Sequence, residues 1–224
     1  MKEQHNITNS GSFLCSWSGG KDSYLAYCKA IELGLSPRLL FNVLNEFGEN
    51  SRSHGIPKDI LYAQAACLKL PMEFIASTWT DYETKFITRL KELKAEYDID
   101  HAVFGDIDIA SHRAWEEKVS EAASLKPILP LWRQERLSLV YEMLEMGIEA
   151  MVVSCQTHLA SSILGKVINR DLVTEFQRLG IDECGENGEY HTLVLDGPQH
   201  VRPLNIQTGH FIQHEHYSFI ALEL

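Results

Sequence analysis

The chain has 224 residues, 45% of them hydrophobic and 23% charged, so it carries enough apolar content for a substantial core and is not a disordered tail. With 31 acidic against 20 basic side chains the net charge is −11, which argues against a general nucleic-acid binder, because phosphate neutralisation supplies most non-specific affinity. No apolar run reaches the roughly 20 residues of a membrane span, and five scattered cysteines without a C-x-x-C pair argue against a disulfide framework or a zinc ribbon.

The polar start, MKEQHNITNSGS, has no apolar signal core, so residues 1–11 are expected to form a flexible leader on a cytoplasmic protein. SFLCSW at 12–17 is an apolar run expected as a buried strand. From Asp22 to Leu33 the residues Leu25, Cys28 and Ile31 recur at helical spacing, and Gly34 supplies a stop. RLLFNVL at 38–44 reads as a second strand, and Pro57 suits the first position of a helix reaching Lys69. PMEFIAS at 71–77 is a third strand. Thr80 and Glu83 have the spacing of a capping box ahead of Tyr82, Phe86, Leu90 and Leu93. HAVFGD at 101–106 is a fourth strand. A helix near 113–124, the segment PILPLW at 127–132, a helix at 135–146 and the strand IEAMVVS at 148–154 follow. Then the pattern changes: one helix over 161–180, a glycine-rich turn, and the strand-like stretches EYHTLVL and HFIQHEHYSFIALEL.

Strands that are apolar runs, alternating with helices, predict an α/β fold with a doubly wound parallel sheet. The expected boundary falls near residue 130, with a nucleotide-binding unit over 12–130 and a smaller mixed α/β substrate unit over 131–224.

The junction S-G-G-K-D-S at 18–23 lies between the first strand and the first helix. It is not a Walker A loop: the first glycine would fall on Cys15, and Asp22 stands where Ser or Thr is needed. Anion binding is still favoured. Gly19 and Gly20 allow a sharp turn, the following helix offers unpaired N–H groups and its positive end, Ser18 and Ser23 add hydroxyls, and Lys21 adds charge.

This junction resembles the PP-loop of the ATP pyrophosphatases. GDI at 105–107, PLWRQERLSLVYEMLEMGIEAMVVS at 130–154, LGK at 164–166 and CGENGEYHTLVLDGP at 184–198 are similar to the diphthine–ammonia ligase family, a PP-loop group. The resemblance implies a HUP-like fold, ATP and Mg²⁺ as cofactors, and an ATP-dependent ligase. Such an enzyme adenylates a carboxylate, releases pyrophosphate and transfers ammonia. It implies that Ser18, Gly19, Gly20, Lys21, Asp22 and Ser23 bind the β and γ phosphates, with Asp22 near the metal and Gly105 and Asp106 beside the nucleotide. Lys21, Asp22, Glu186 and Glu189 become the catalytic candidates, since ammonia transfer needs a base and a water-poor cavity. Asn187, Gly188, Tyr190 and His191 become substrate candidates.

The diphthamide-making branch reads E-G-G-E-Y-E-T where this chain has Glu186-Asn187-Gly188-Glu189-Tyr190-His191-Thr192. An imidazole for a carboxylate changes what can be bound, so the acid is open between diphthine on an elongation factor and another acid such as a corrin precursor. Free ammonium is the expected nitrogen source, and neither membrane nor nucleic acid is an expected partner. The rivals are a tRNA-modifying PP-loop enzyme using Cys155 and Cys184, and an ATP-binding module without turnover. His54 is as readily a nucleotide contact as an ordinary loop histidine. Arg113, Lys118 and Arg133 read as solvated charges. His210, His214 and His216 read as a strand pattern rather than a metal site.

Overall fold

The computed structural model describes residues 11–224, so all but Gly11 of the expected leader lies outside the described residues. Five strands, β1 (Ser12–Ser16), β2 (Ser36–Leu44), β3 (Met72–Ala76), β4 (His101–Val103) and β5 (Lys126–Ile128), form a parallel sheet in the order β3-β2-β1-β4-β5. In the centre, Leu14 stands between Leu39 and Ala102, and Cys15 between Leu40 and Val103. Both faces of β1 are covered, which explains its unbroken apolar run. Leu14, Leu39 and Phe41 face Phe86, Leu90 and Val119 of α3 (Tyr82–Tyr97) and α4 (Ala110–Ala122). Phe13, Cys15 and Leu40 face α1 (Lys21–Glu32) and α2 (Lys58–Cys67).

The remaining elements are α5 (Arg136–Glu145), β6 (Glu149–Gln156), α6 (Ala160–Ile163), α7 (Arg170–Leu179), β7 (Tyr190–Asp196), β8 (Gln207–His214) and β9 (Tyr217–Glu223). Here the strands make an antiparallel sheet in the order β7-β6-β9-β8. Its core is continuous with that of α1, which is buried at eight of twelve positions because it lies between the two sheets. Val194 N of β7 donates to Gly19 O at 2.9 Å, so the second sheet is tied directly to the β1–α1 turn. Among the described residues no helix is long and apolar enough to cross a membrane.

Four local expectations are corrected. Thr80 and Glu83 form no capping box: Asp81 turns back to accept from Thr78 N at 2.7 Å, and Glu83 is taken by Lys118 Nζ at 2.6 Å. The helix over 161–180 is broken. Gly165 takes φ +77°, and residues 165–168 run beside β6, with Gly165 N bonded to Val152 O and Ile168 N to Ala150 O. Asn169 then caps α7 by accepting from Leu172 N, and Gly180 ends it at φ +68°. The fourth helix begins at Ala110 rather than 113. Finally, HFIQHEHYSFIALEL is a hairpin, because Glu215 adopts φ +48° and turns the chain; His214 ends β8 and His216 sits in the turn.

Candidate active site

In the parallel sheet the chain order reverses between β1 and β4, and open α/β sheets place ligands in the crevice beyond the strand ends at such a point. A cleft of roughly 310 Å³ opens there, with one wall from the β1–α1 turn and residues 104–112, and the other from residues 184–192.

The turn is held from behind. Gly19 O accepts from Val194 N and from Gln64 Nε2 at 3.0 Å, and Gln64 Oε1 accepts from Trp17 Nε1 at 2.8 Å. Gly19 adopts φ +84°, and a Cβ there would stand 2.8 Å from Leu61. A Cβ on Gly20 would stand 3.0 Å from His54 Nε2. The glycine pair thus serves close packing of the turn, and neither glycine lines the cleft. Ser18 and Ser23 do line it, with their hydroxyls 3.0 Å apart. The N-cap residue of α1, Gly20, has no side chain to cap it, and Thr192 Oγ1 of β7 accepts from Lys21 N at 3.0 Å. The Lys21 ammonium is buried, bonded to both Asp22 oxygens and to Cys184 O. Burial is the largest single influence and works against its charge, but Asp22 first, then Tyr190 and Cys184, together outweigh it and hold the lysine above its ordinary range.

Gly105 needs to be glycine, since a Cβ would lie 2.8 Å from the backbone carbon of Asp22. Asp106 enters the cleft beside it and accepts from His112 at 2.7 Å. Behind Asp106 the Glu116 carboxyl of α4 is buried; burial first, then Asp106, push it up to about 11, so it stays protonated.

The facing wall is tied down by Asp182, which accepts from Cys184 N and Glu186 N at 3.0 Å and pairs with Arg136, itself paired with Asp108. This puts Glu186, Gly188, Tyr190 and His191 on the cleft. Burial, then the charge of Asp22, push Glu186 up to about 7. Asn187 and Glu189 do not line the cleft: Asn187 is exposed, and Glu189 is buried, accepting from Asp182 N at 3.2 Å and from Asn187 Nδ2. Cys184 lines the cleft but burial pushes its thiol up to about 12, and Cys155 lies in β6, away from the cleft lining.

The sequence reading did not single out Thr192, Ser53, Phe104, Ile109 or His112, all of which line the cleft. A narrower slot shares Ser16, Ser18 and Ser53 with it and is lined by Phe41, Arg52, Trp79 and Tyr82. The Arg52 guanidinium stands 4.9 Å from the Trp79 ring, which is 74% exposed. An exposed tryptophan after the third strand was the one available signal for that slot.

The family model described as the diphthamide synthase N-terminal domain matches residues 12–127, and that of the diphthamide synthase C-terminal domain matches 135–223. The diphthine–ammonia ligase of Danio rerio is 24% identical, covering 90% of this chain and 89% of its own. That of Schizosaccharomyces pombe is 27% identical over 88% of this chain but only 36% of its own. A solved structure from Methanocaldococcus jannaschii, described as a predicted subunit of tRNA methyltransferase, is 17% identical with a TM-score of 0.44, covering 83% of this chain and 97% of its own. On the match of both family models, which between them span nearly all the described residues, this chain belongs to the diphthamide synthase family of diphthine–ammonia ligases.

Proposed function

We propose that this protein is an ATP-dependent amide ligase that adenylates a substrate carboxylate, releases pyrophosphate and transfers ammonia to the acyl-adenylate. The observation that carries the reading is the convergence on one cleft of the buried Lys21 ammonium at the start of α1 and the Glu186 carboxyl opposite. Lys21, the Ser18 and Ser23 hydroxyls and the start of α1 hold the β and γ phosphates. The nucleoside occupies the slot between Phe41, Arg52 and Trp79, where a flat ring finds aromatic and guanidinium faces. An oxygen of the acid attacks the α phosphorus and pyrophosphate leaves. Glu186, with a pKa near neutrality, takes the proton of ammonium, and ammonia displaces AMP to leave an amide. The names of the relatives support diphthine as the acid, and His191 in place of a carboxylate makes other acids worth screening beside it.

Mg²⁺ fits this cleft as a partner of the phosphates. Among the described residues no group of three His, Cys, Asp or Glu forms a closed metal cage. Mg²⁺ commonly takes one or two carboxylates plus phosphate oxygens. Asp22 and Asp106 would hold it, and it would neutralise charge on the phosphates.

The test is a screen of acids with ATP and ammonium, reading AMP, pyrophosphate and amide together. One AMP and one pyrophosphate per amide formed are expected. Nucleotide binding without turnover across the screen would replace the ligase by a non-catalytic ATP-binding module.

A further inference from the structure

Two side chains on the cleft have no part in this scheme. His54 comes from the loop after β2 and His191 from β7, more than a hundred residues apart, yet their rings pack with centroids 4.5 Å apart. Both rings line the cleft. His54 Nδ1 is 3.2 Å from Ser53 Oγ, and its Nε2 stands over Gly20, at the turn proposed to hold the polyphosphate. Among the described residues no carboxylate bonds to either ring.

Burial, then each other's presence, then Lys21 hold His54 well below its ordinary range; burial and Lys21 bring His191 down to about 4. Both rings are therefore neutral at pH 7 in the open cleft. The other titratable groups facing them are Lys21 and Asp22 of α1, Asp106 and His112 across the cleft, and Glu186 ahead of β7. Cys184 and Tyr190 are kept protonated by burial. Lys21 bears on both rings, and it acts against their protonation. A polyphosphate laid on the turn reverses that field, because it offsets Lys21 and places negative oxygens beside the imidazoles.

We infer that the His54–His191 pair takes up a proton when the nucleotide binds and that His54 delivers it to the leaving pyrophosphate. The acid's oxygen forms a bond to the α phosphorus, the bond from that phosphorus to the bridging oxygen breaks, and the oxygen leaves on pyrophosphate. Pyrophosphate receives the imidazolium proton, and His54 returns to neutral. His191 is the positioning residue, stacked on the donor. The inference rests on the ATP site proposed above.

Calorimetric titration of the full chain with α,β-methylene-ATP and Mg²⁺ tests it. Comparing PIPES with Tris at one pH reads proton uptake, since the two buffers ionise with different heats. Binding should be accompanied by uptake of about one proton per nucleotide. His54→Asn should still bind and lose the uptake, whereas Glu186→Gln should keep it. Imidazole NMR of the unsubstituted protein reads the same event without relying on a variant: one histidine ring should pass from the neutral to the charged signature as nucleotide is added. Nucleotide binding with equal heats in both buffers, or uptake that persists in His54→Asn, overturns the proton donor while leaving the ATP site standing. No binding by the unsubstituted protein overturns both.

Discussion

The two walls of the cleft hold their shape by different means. The β1–α1 turn is fixed by neutral bonds from a packed scaffold: Gly19 O is held by Val194 N and the Gln64 amide, and Lys21 N by Thr192 Oγ1. The 182–191 wall is fixed by carboxyl groups and a guanidinium. Asp182 gathers two backbone N–H groups and Arg136, and the Glu189 carboxylate holds Asp182 N from the other side. The first wall carries the Lys21–Asp22 pair and Asp106, the second carries Glu186 and His191, and both departures from the diphthamide-branch pattern, Asn187 and His191, fall in the second. Under the proposed function, phosphate handling falls to the first wall and acid selection to the second.

The sharpest test of that division is Asp182→Ala. It leaves Arg136 paired with Asp108 alone and two inward N–H groups without an acceptor, which should cost about 3–5 kcal/mol in denaturant unfolding. KM for acid and ammonium should rise far more than the Kd for ATP. Equal losses of both would mean that the walls are one unit.

Next in size is Glu116→Gln, behind the first wall. Glu116 in the folded chain titrates at about 11 against an ordinary 4.5. The folded state therefore keeps a proton that the unfolded chain sheds above pH 4.5, and stability falls as pH rises from there. Glutamine cannot ionise, so the variant should be more stable by up to about 5 kcal/mol at pH 8 and nearly unchanged at pH 4.5, read from thermal or urea unfolding. A gain of equal size at both pH values would mean that packing, not charge, is the cause.

Lys21→Ala follows. A charge-assisted contact is worth roughly 1.5–3 kcal/mol, so ATP affinity should drop about ten- to a hundred-fold. Binding of the acid alone should barely change, which separates the walls from the other direction.

The sheet and the glycine turn at the start of α1 were legible in the sequence because both depend on local pattern. Fully buried strands such as LLF at 39–41 must be apolar on both faces, and a glycine pair between a strand and a helix marks a turn. What lay hidden depends on partners distant in the chain. Thr192 on Lys21 N joins residues 171 apart, and no spacing rule reaches that far. The break in the helix over 161–180 arises because residues 165–168 find backbone partners on β6, a gain invisible to helical periodicity. The close approach of Leu61 and His54 to Gly19 and Gly20 is equally out of reach of local pattern.

The smallest expected effect comes from the cysteines, and it tests whether the second wall holds a nucleophile. Cys184 Sγ donates to Arg136 O at 3.2 Å, and burial, only partly opposed by Lys21, lifts the thiol to about 12. Burial alone lifts Cys155 to about 11. At pH 7 only about one Cys184 thiol in 100,000 would be ionised, and the thiolate is the reactive form. Cys155→Ala and Cys184→Ala should each leave AMP and amide formation unchanged, while Cys184→Ala loses roughly 1 kcal/mol of stability with its buried sulfur. Loss of turnover in a variant that unfolds normally would put sulfur chemistry in the cleft, and the second wall would then be a nucleophile's wall rather than an acid's.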